Sequence, residues 1–226
     1  MQNKKVIFSL FDSETDIVSC AAQDYDVYSF GIGSGFTHIS MDLSEPIFFL
    51  DNFKDYPKPD ILFSFPPCQT WLNISCGNCP AVHREKGFNL YYKSKFVPFR
   101  SPQRIVENRL NGLLCALTTV KIINYFKPRF WFIENPSRSA LFEFLSSKLN
   151  FYGIKNLTDY GSYGFAVHKP TTIYSNVKIP LKKSPRVYSV KKVFDLPVND
   201  RSFFPVKLSS HIIECLENNI YERFCH

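Results

Sequence analysis

Apolar residues along this chain follow two rhythms. Short runs rich in β-branched and aromatic residues recur at 5–11, 26–30, 60–65, 130–133 and 171–174, and predict strands. Between the third and fourth runs the rhythm changes. Val106, Leu110, Leu113, Leu114, Leu117, Val120 and Ile123 step by three or four, the spacing of one buried helix face, and predict a helix over 105–126. Shorter helices are expected at 139–149 and 207–221. Strands alternating with helices predict an α/β fold with a mostly parallel sheet and helices on both faces. In such sheets ligands bind beyond the carboxyl ends of the strands. The segments SFPPCQTW (64–71) and IENPSR (133–138), and the loop after Phe11, all fall there.

Length and composition narrow this picture. The 226 residues suit one domain spanning 1–226, with 45% apolar and 21% charged residues. No apolar run approaches the ~20 residues that span a bilayer, so no membrane partner is expected. The apolar start breaks at Asp12, too early for a signal peptide. Seven irregularly spaced cysteines then read as reduced thiols, and the expected compartment is the cytoplasm. A net charge of +7 favours a polyanionic partner. Residues 66–104 form a long connection in which Arg84, Lys86, Lys93, Lys95, Arg100 and Arg104 alternate with Tyr91, Tyr92, Phe96 and Phe99. Cations among aromatics suit a nucleic-acid strand, through phosphate contacts and base stacking; a solvated loop with a few packed rings has the same composition.

Two fragments carry the chemistry. Cys68 follows a strand, and Pro66 and Pro67 before it fix two φ angles and remove two donors, holding the loop in one shape. A small buried thiol would need no such setting; a nucleophile that must be aimed would. FWFIENP (130–136) is an apolar strand that ends in Glu134, Asn135 and Pro136. A carboxylate at the end of a buried strand is costly unless it is paired or used.

Together the fragments resemble the DNA cytosine-5 methyltransferases, most closely the short phage-encoded members. PPCQ (66–69) is similar to that family's nucleophile motif and Glu134-Asn135-Pro136 to its Glu-Asn motif. DYGSYGFAVHKPTTIYSN (159–176) and RSFFPVKLSSHIIECL (201–216) resemble the later segments of the short enzymes, so the likeness runs along nearly the whole chain. The resemblance implies a Rossmann-like fold dependent on S-adenosylmethionine, acting on DNA, with RNA as the alternative. It implies Cys68 as the thiolate that adds to cytosine C6 and Glu134 as the group that holds N3. Pro67, Gln69, Asn135, Arg138 and Lys169 would complete the substrate pocket. Phe11, Asp12, Asp42 and Pro66 would face the cofactor.

The chain departs from the family in two places. Asp16 stands where a glycine-bearing turn is usual, and Gly31 where an acid would meet the cofactor ribose. A methyltransferase-like nucleic-acid binder without activity is therefore a second reading. A third is a zinc module. Cys76 and Cys79 form a C-x2-C pair with His83 nearby, and Cys68 would complete four ligands. Catalytic use of Cys68 predicts instead that these residues hold no metal.

Overall fold

The computed structural model describes residues 4–12, 20–21, 24–32, 38–44, 53–71, 102–183 and 204–223. Its centre is a seven-stranded sheet. In chain order the strands are β1 (Lys5–Leu10), β2 (Tyr25–Gly31), β3 (His38–Ser40), β4 (Ile61–Ser64), β5 (Phe130–Pro136), β6 (Ile154–Asp159) and β7 (Pro170–Ser175). They lie side by side as β3-β2-β1-β4-β5-β7-β6. The first five run parallel, while β7 pairs antiparallel with both β5 and β6. The helices are α1 (Pro102–Phe126), α2 (Leu141–Lys148) and α3 (Val206–Glu217). A two-stranded ribbon, β8 (Val177–Lys178) with β9 (Glu222–Arg223), joins the chain after β7 to the chain after α3.

The parallel strands are apolar on both sides because both sheet faces are covered. Phe8, Leu62, Trp131 and Ile133 pack on one face with Ala116, Ile122 and Ile123 of α1 and Leu141, Phe142 and Leu145 of α2. Ile7, Ile61, Phe63, Phe130 and Phe132 point the other way, onto Leu208, Ile212 and Leu216 of α3. Alternate residues of one strand thus serve two cores.

The structure shifts several expected boundaries. Pro102 opens α1, so the connection expected at 66–104 ends at residue 101. Its fixed φ suits a first helical position. Of the expected basic and aromatic stretch, only Arg104 falls in a described element; the others lie outside the described residues. The helix expected at 207–221 stops at Glu217, and the chain continues into β9. β5 runs past 133 to Pro136, so Glu134 and Asn135 are strand residues paired with Ile173 and Thr172 of β7.

β6 was not expected at all. Its polarity is reversed: Leu157 is 51% exposed while Asn156 is 5% exposed. Asn156 is buried because its amide ties three segments together. Nδ2 donates to the Ile173 and Val177 carbonyls and to Ser175 Oγ, at 3.2, 3.1 and 2.9 Å, and Oδ1 accepts from Ile179 N at 2.9 Å.

Candidate active site

The loop after β4 is held from three sides. Phe65 N extends the ladder to Leu10 O at 3.0 Å, and Asn135 Nδ2 donates to Pro66 O at 2.9 Å. A 3-10 turn, Cys68–Thr70, then rests on α1, where Thr70 Oγ1 donates to Asn108 O at 2.7 Å. One turn further along α1, Gly112 lies so close that a Cβ there would fall inside the Thr70 side chain. Trp71 closes the turn; it is buried against Phe144, and its carbonyl accepts from Ala140 N at 3.1 Å. The stiffness suggested by two prolines is thus completed by tertiary contacts.

β4 and β5 are adjacent, with Ser64 opposite Ile133, so the chain reaches Cys68 and Glu134 at the same edge of the sheet. The Glu134 charge reaches the thiol. Burial first, and then the Glu134 charge, push the Cys68 thiol above its ordinary value, while Lys169 pulls it back. Burial likewise raises the Glu134 carboxyl, opposed by Lys169 and by a hydrogen bond from Tyr160. The Tyr160 hydroxyl donates to Glu134 Oε1 at 2.8 Å. Burial and the neighbouring carboxylate keep that phenol protonated far beyond its ordinary range, so it remains a donor.

Tyr160 and Lys169 arrive together. Because β6 and β7 are antiparallel neighbours, the loop between them returns to the carboxyl edge of the parallel strands. Tyr160 N donates to Lys169 O at 3.2 Å across its base. Asp159 Oδ1 accepts from Gly161 N at 2.8 Å, and His168 Nδ1 lies 2.7 Å from Asp159 Oδ2. Lys169 Nζ sits 4.2 Å from the centre of the Tyr160 ring and 5.8 Å from that of Phe165, a cation held over aromatic faces.

The remaining candidates separate. Asn135 is fully buried, with its Nδ2 bound to the Pro66 carbonyl, so this amide acts within the protein as a strut between the thiol loop and β5. Its Oδ1 is buried without a hydrogen-bond partner among the described residues. Pro66 is buried, Pro67 is exposed, and Arg138 is exposed in the turn after β5. Gln69 is the middle residue of the 3-10 turn. Tyr160 was not singled out from the sequence, where it is one tyrosine among twelve. Cys76, Cys79, His83 and Asp16 lie outside the described residues.

Phe11, Asp12, Gly31 and Asp42 gather at the carboxyl ends of β1, β2 and β3. Phe11 has φ +59°, a conformation that costs a non-glycine residue about 1–2 kcal/mol. Left-handed residues of this kind cluster at ligand sites. Asp12 Oδ2 accepts from the Ser9 and Ser29 hydroxyls at 2.7 and 3.2 Å. Asp42 Oδ1 accepts from Ser44 N and Ser44 Oγ at 2.8 and 2.7 Å. Ile32, directly after Gly31, is 77% exposed. Two carboxylates, a strained turn and an uncovered apolar side chain fit a ligand with hydroxyls, a positive charge and a flat ring. S-adenosylmethionine has all three.

No model of a known protein family matches the chain, and no curated protein matches it in sequence. Among solved structures, the methyltransferase EhMeth of Entamoeba histolytica superposes with a TM-score of 0.45 at 13% identity, covering 84% of this chain and 58% of that one. The Dnmt2 methyltransferase of S. pombe gives 0.42 at 13% identity, covering 86% and 61%. The chain spans less than two thirds of the length of either. Independently of those superpositions, five parallel strands with a reversed β7 set between β5 and β6 are the sheet of the Rossmann-like S-adenosylmethionine-dependent methyltransferases, and this chain has that fold.

Proposed function

We propose that this protein transfers a methyl group to C5 of a cytosine in DNA, through a covalent bond between Cys68 and C6 of the base. The observation that carries the reading is that Cys68 and Glu134 stand at one sheet edge, where the Glu134 charge raises the thiol and Lys169 acts on both groups. A thiol and a carboxyl sharing one buried site cannot easily both be ionised. When Cys68 becomes the thiolate, a proton on Glu134 avoids two neighbouring negative charges, and burial of the carboxyl favours that neutral form. That distribution is the one the chemistry requires.

Cytosine C5 is a weak nucleophile. Addition of the Cys68 sulfur to C6 moves the C5–C6 π electrons toward C5, while a proton from Glu134 to N3 neutralises the charge that develops on the ring. Tyr160 fixes Glu134 Oε1 as an acceptor, which leaves Oε2 to carry the proton. The Lys169 ammonium stabilises the thiolate before attack and the Glu134 carboxylate after proton transfer. S-adenosylmethionine, held by Phe11, Asp12, Asp42 and Pro66, would supply an electrophilic methyl group. Loss of the C5 proton to water, expulsion of the sulfur as thiolate and return of the N3 proton to Glu134 then restore the aromatic ring and both protein groups. A stacked base cannot reach this edge, so the target nucleotide must be turned out of the helix.

DNA containing 5-fluorocytosine tests the reading, because fluorine at C5 cannot leave as a proton does. The wild-type protein with S-adenosylmethionine should form a denaturation-resistant adduct that is absent in Cys68→Ala. Absence of any adduct on varied DNA and RNA at saturating cofactor would refute it. Retained nucleic-acid binding in that case would leave an inactive binder of this fold.

A further inference from the structure

At the opposite edge of the sheet, where β5 begins, lies a cavity of about 500 Å³. That is the size of a small-molecule site. Lys127, Arg129 and Arg223 line it, with Trp131, Phe151 and Tyr152, and no carboxylate among the described residues does. The nearest acid in sequence, Glu222, is engaged by Lys178 Nζ at 3.0 Å.

Arg129 is held by two rings. The Arg129 guanidinium lies 5.0 Å from the centre of the Phe130 ring, and its Nη2 is 3.5 Å from the Tyr221 hydroxyl. Burial nudges the Tyr221 phenol upward, but hydrogen bonds and charge from Arg223 and Arg129 outweigh it and leave the group below its ordinary value. Two guanidinium groups therefore converge on one phenol oxygen. Like charges brought together repel, and the arrangement is stable only if something else holds it or an anion completes it. Asn176 helps hold it: its Nδ2 donates to Arg129 O at 3.0 Å, and its Oδ1 accepts from Trp131 N at 3.1 Å. The segment bearing Arg129 is thus set in place before any ligand arrives.

Beside this cluster Tyr152 is 53% exposed, an aromatic face available to a flat ring. We propose that the cavity is a second ligand site, in which Lys127, Arg129 and Arg223 hold the phosphates of a nucleotide and Tyr152 stacks on its base. The ligand chemistry is shared by a free nucleotide and by one residue of a nucleic-acid strand. A strand in this cavity is not the segment whose base meets Cys68, because the seven residues of β5 separate the two edges by roughly 20 Å. The site therefore does not depend on the chemistry proposed at Cys68.

Isothermal titration of the whole protein with inorganic pyrophosphate, cytidine triphosphate and a single-stranded dodecanucleotide tests the proposal. At least one phosphate-bearing probe should bind, more weakly as salt rises. Arg129→Ala/Arg223→Ala should weaken that binding at least tenfold, while Lys54→Ala, at an exposed cation outside the cavity, leaves it within twofold. Tyr152→Ala should weaken the nucleotide but not pyrophosphate. Tight binding by the triphosphate assigns the site to a free nucleotide, and binding by the dodecanucleotide alone assigns it to a strand. Failure of all three probes to bind, or binding unchanged in the double-arginine variant, overturns the proposal. Equal effects of Tyr152→Ala on pyrophosphate and nucleotide overturn the stacking role.

Discussion

Replacing Gly112 by alanine probes how the thiol is positioned without touching it. Two opposing effects meet at this residue. Alanine is favoured over glycine in a helix interior by about 1 kcal/mol, because its backbone loses less freedom on folding. The added Cβ, however, would overlap the Thr70 side chain, which is itself bonded to Asn108 O one turn earlier in α1. Forcing a methyl into an occupied core site costs about 1–3 kcal/mol. The net change should be a destabilisation of about 0–2 kcal/mol, read by urea unfolding. Relief comes most easily by moving the Cys68–Thr70 turn away from α1, since the helix from Ala116 onward is fixed by the core. A shift of about 1 Å in a reacting group costs on the order of 100-fold in rate. Adduct formation with 5-fluorocytosine DNA should therefore slow far more than stability falls. A Gly112→Ala protein about 1 kcal/mol more stable than wild type, trapping DNA at the wild-type rate, would refute the seating of the turn on α1.

Three further outcomes are expected. Glu134 has its carboxyl raised by burial, so the folded state keeps a proton that the unfolded chain has lost; stability is full below the unfolded value near 4.3 and falls as pH rises through the folded one. Glu134→Gln should thus gain relative to wild type as pH rises above the unfolded value near 4.3, and a difference that does not change with pH in urea unfolding would contradict this. At the thiol, the same substitution removes the charge that raises Cys68 and should speed its alkylation by iodoacetamide, whereas Lys169→Met should slow it; peptide mapping by mass spectrometry separates Cys68 from the other cysteines, and opposite signs would sink the coupling. Asn156→Leu strands the partners of a buried amide and should cost about 2–4 kcal/mol in thermal or urea unfolding, with a loss under about 1 kcal/mol counting against the knot.

The sheet's parallel half was legible because its residues obey simple rules. Ile61–Ser64 and the start of FWFIENP are apolar runs buried on both faces. The buried face expected on α1 holds only toward its end: Val120 and Ile123 are buried, while Val106 and Leu110 are 49% and 53% exposed. β6 was hidden because Asn156 points inward for its hydrogen bonds while Leu157 points outward, the reverse of what strand patterning assumes. Cys68 and Glu134 could be singled out, since proline-stiffened thiols and strand-end carboxyls have few structural uses. The resemblance implies Asn135 as a substrate residue; side chains alternate along a strand, and in the structure its Nδ2 meets the Pro66 carbonyl, a contact no sequence pattern signals. Tyr160 carried no signal of its own. Its role arises only when β6 and β7 pair and bring its hydroxyl under Glu134.

That pairing also bears on how the protein assembles. The contact between Tyr160 and Glu134 closes a separation of 26 residues, and the β6–β7 hairpin within it is more local still. The contact between Asn135 and Pro66, which fixes the thiol loop, closes 69 residues. Longer closures cost more chain entropy and tend to form later, so the half of the site that holds the proton is set to form before the half that presents the sulfur. Cys68 is then the more exposed of the two while the longer closure is still open. An alkylating agent added during that interval should capture it at a rate the native state never shows.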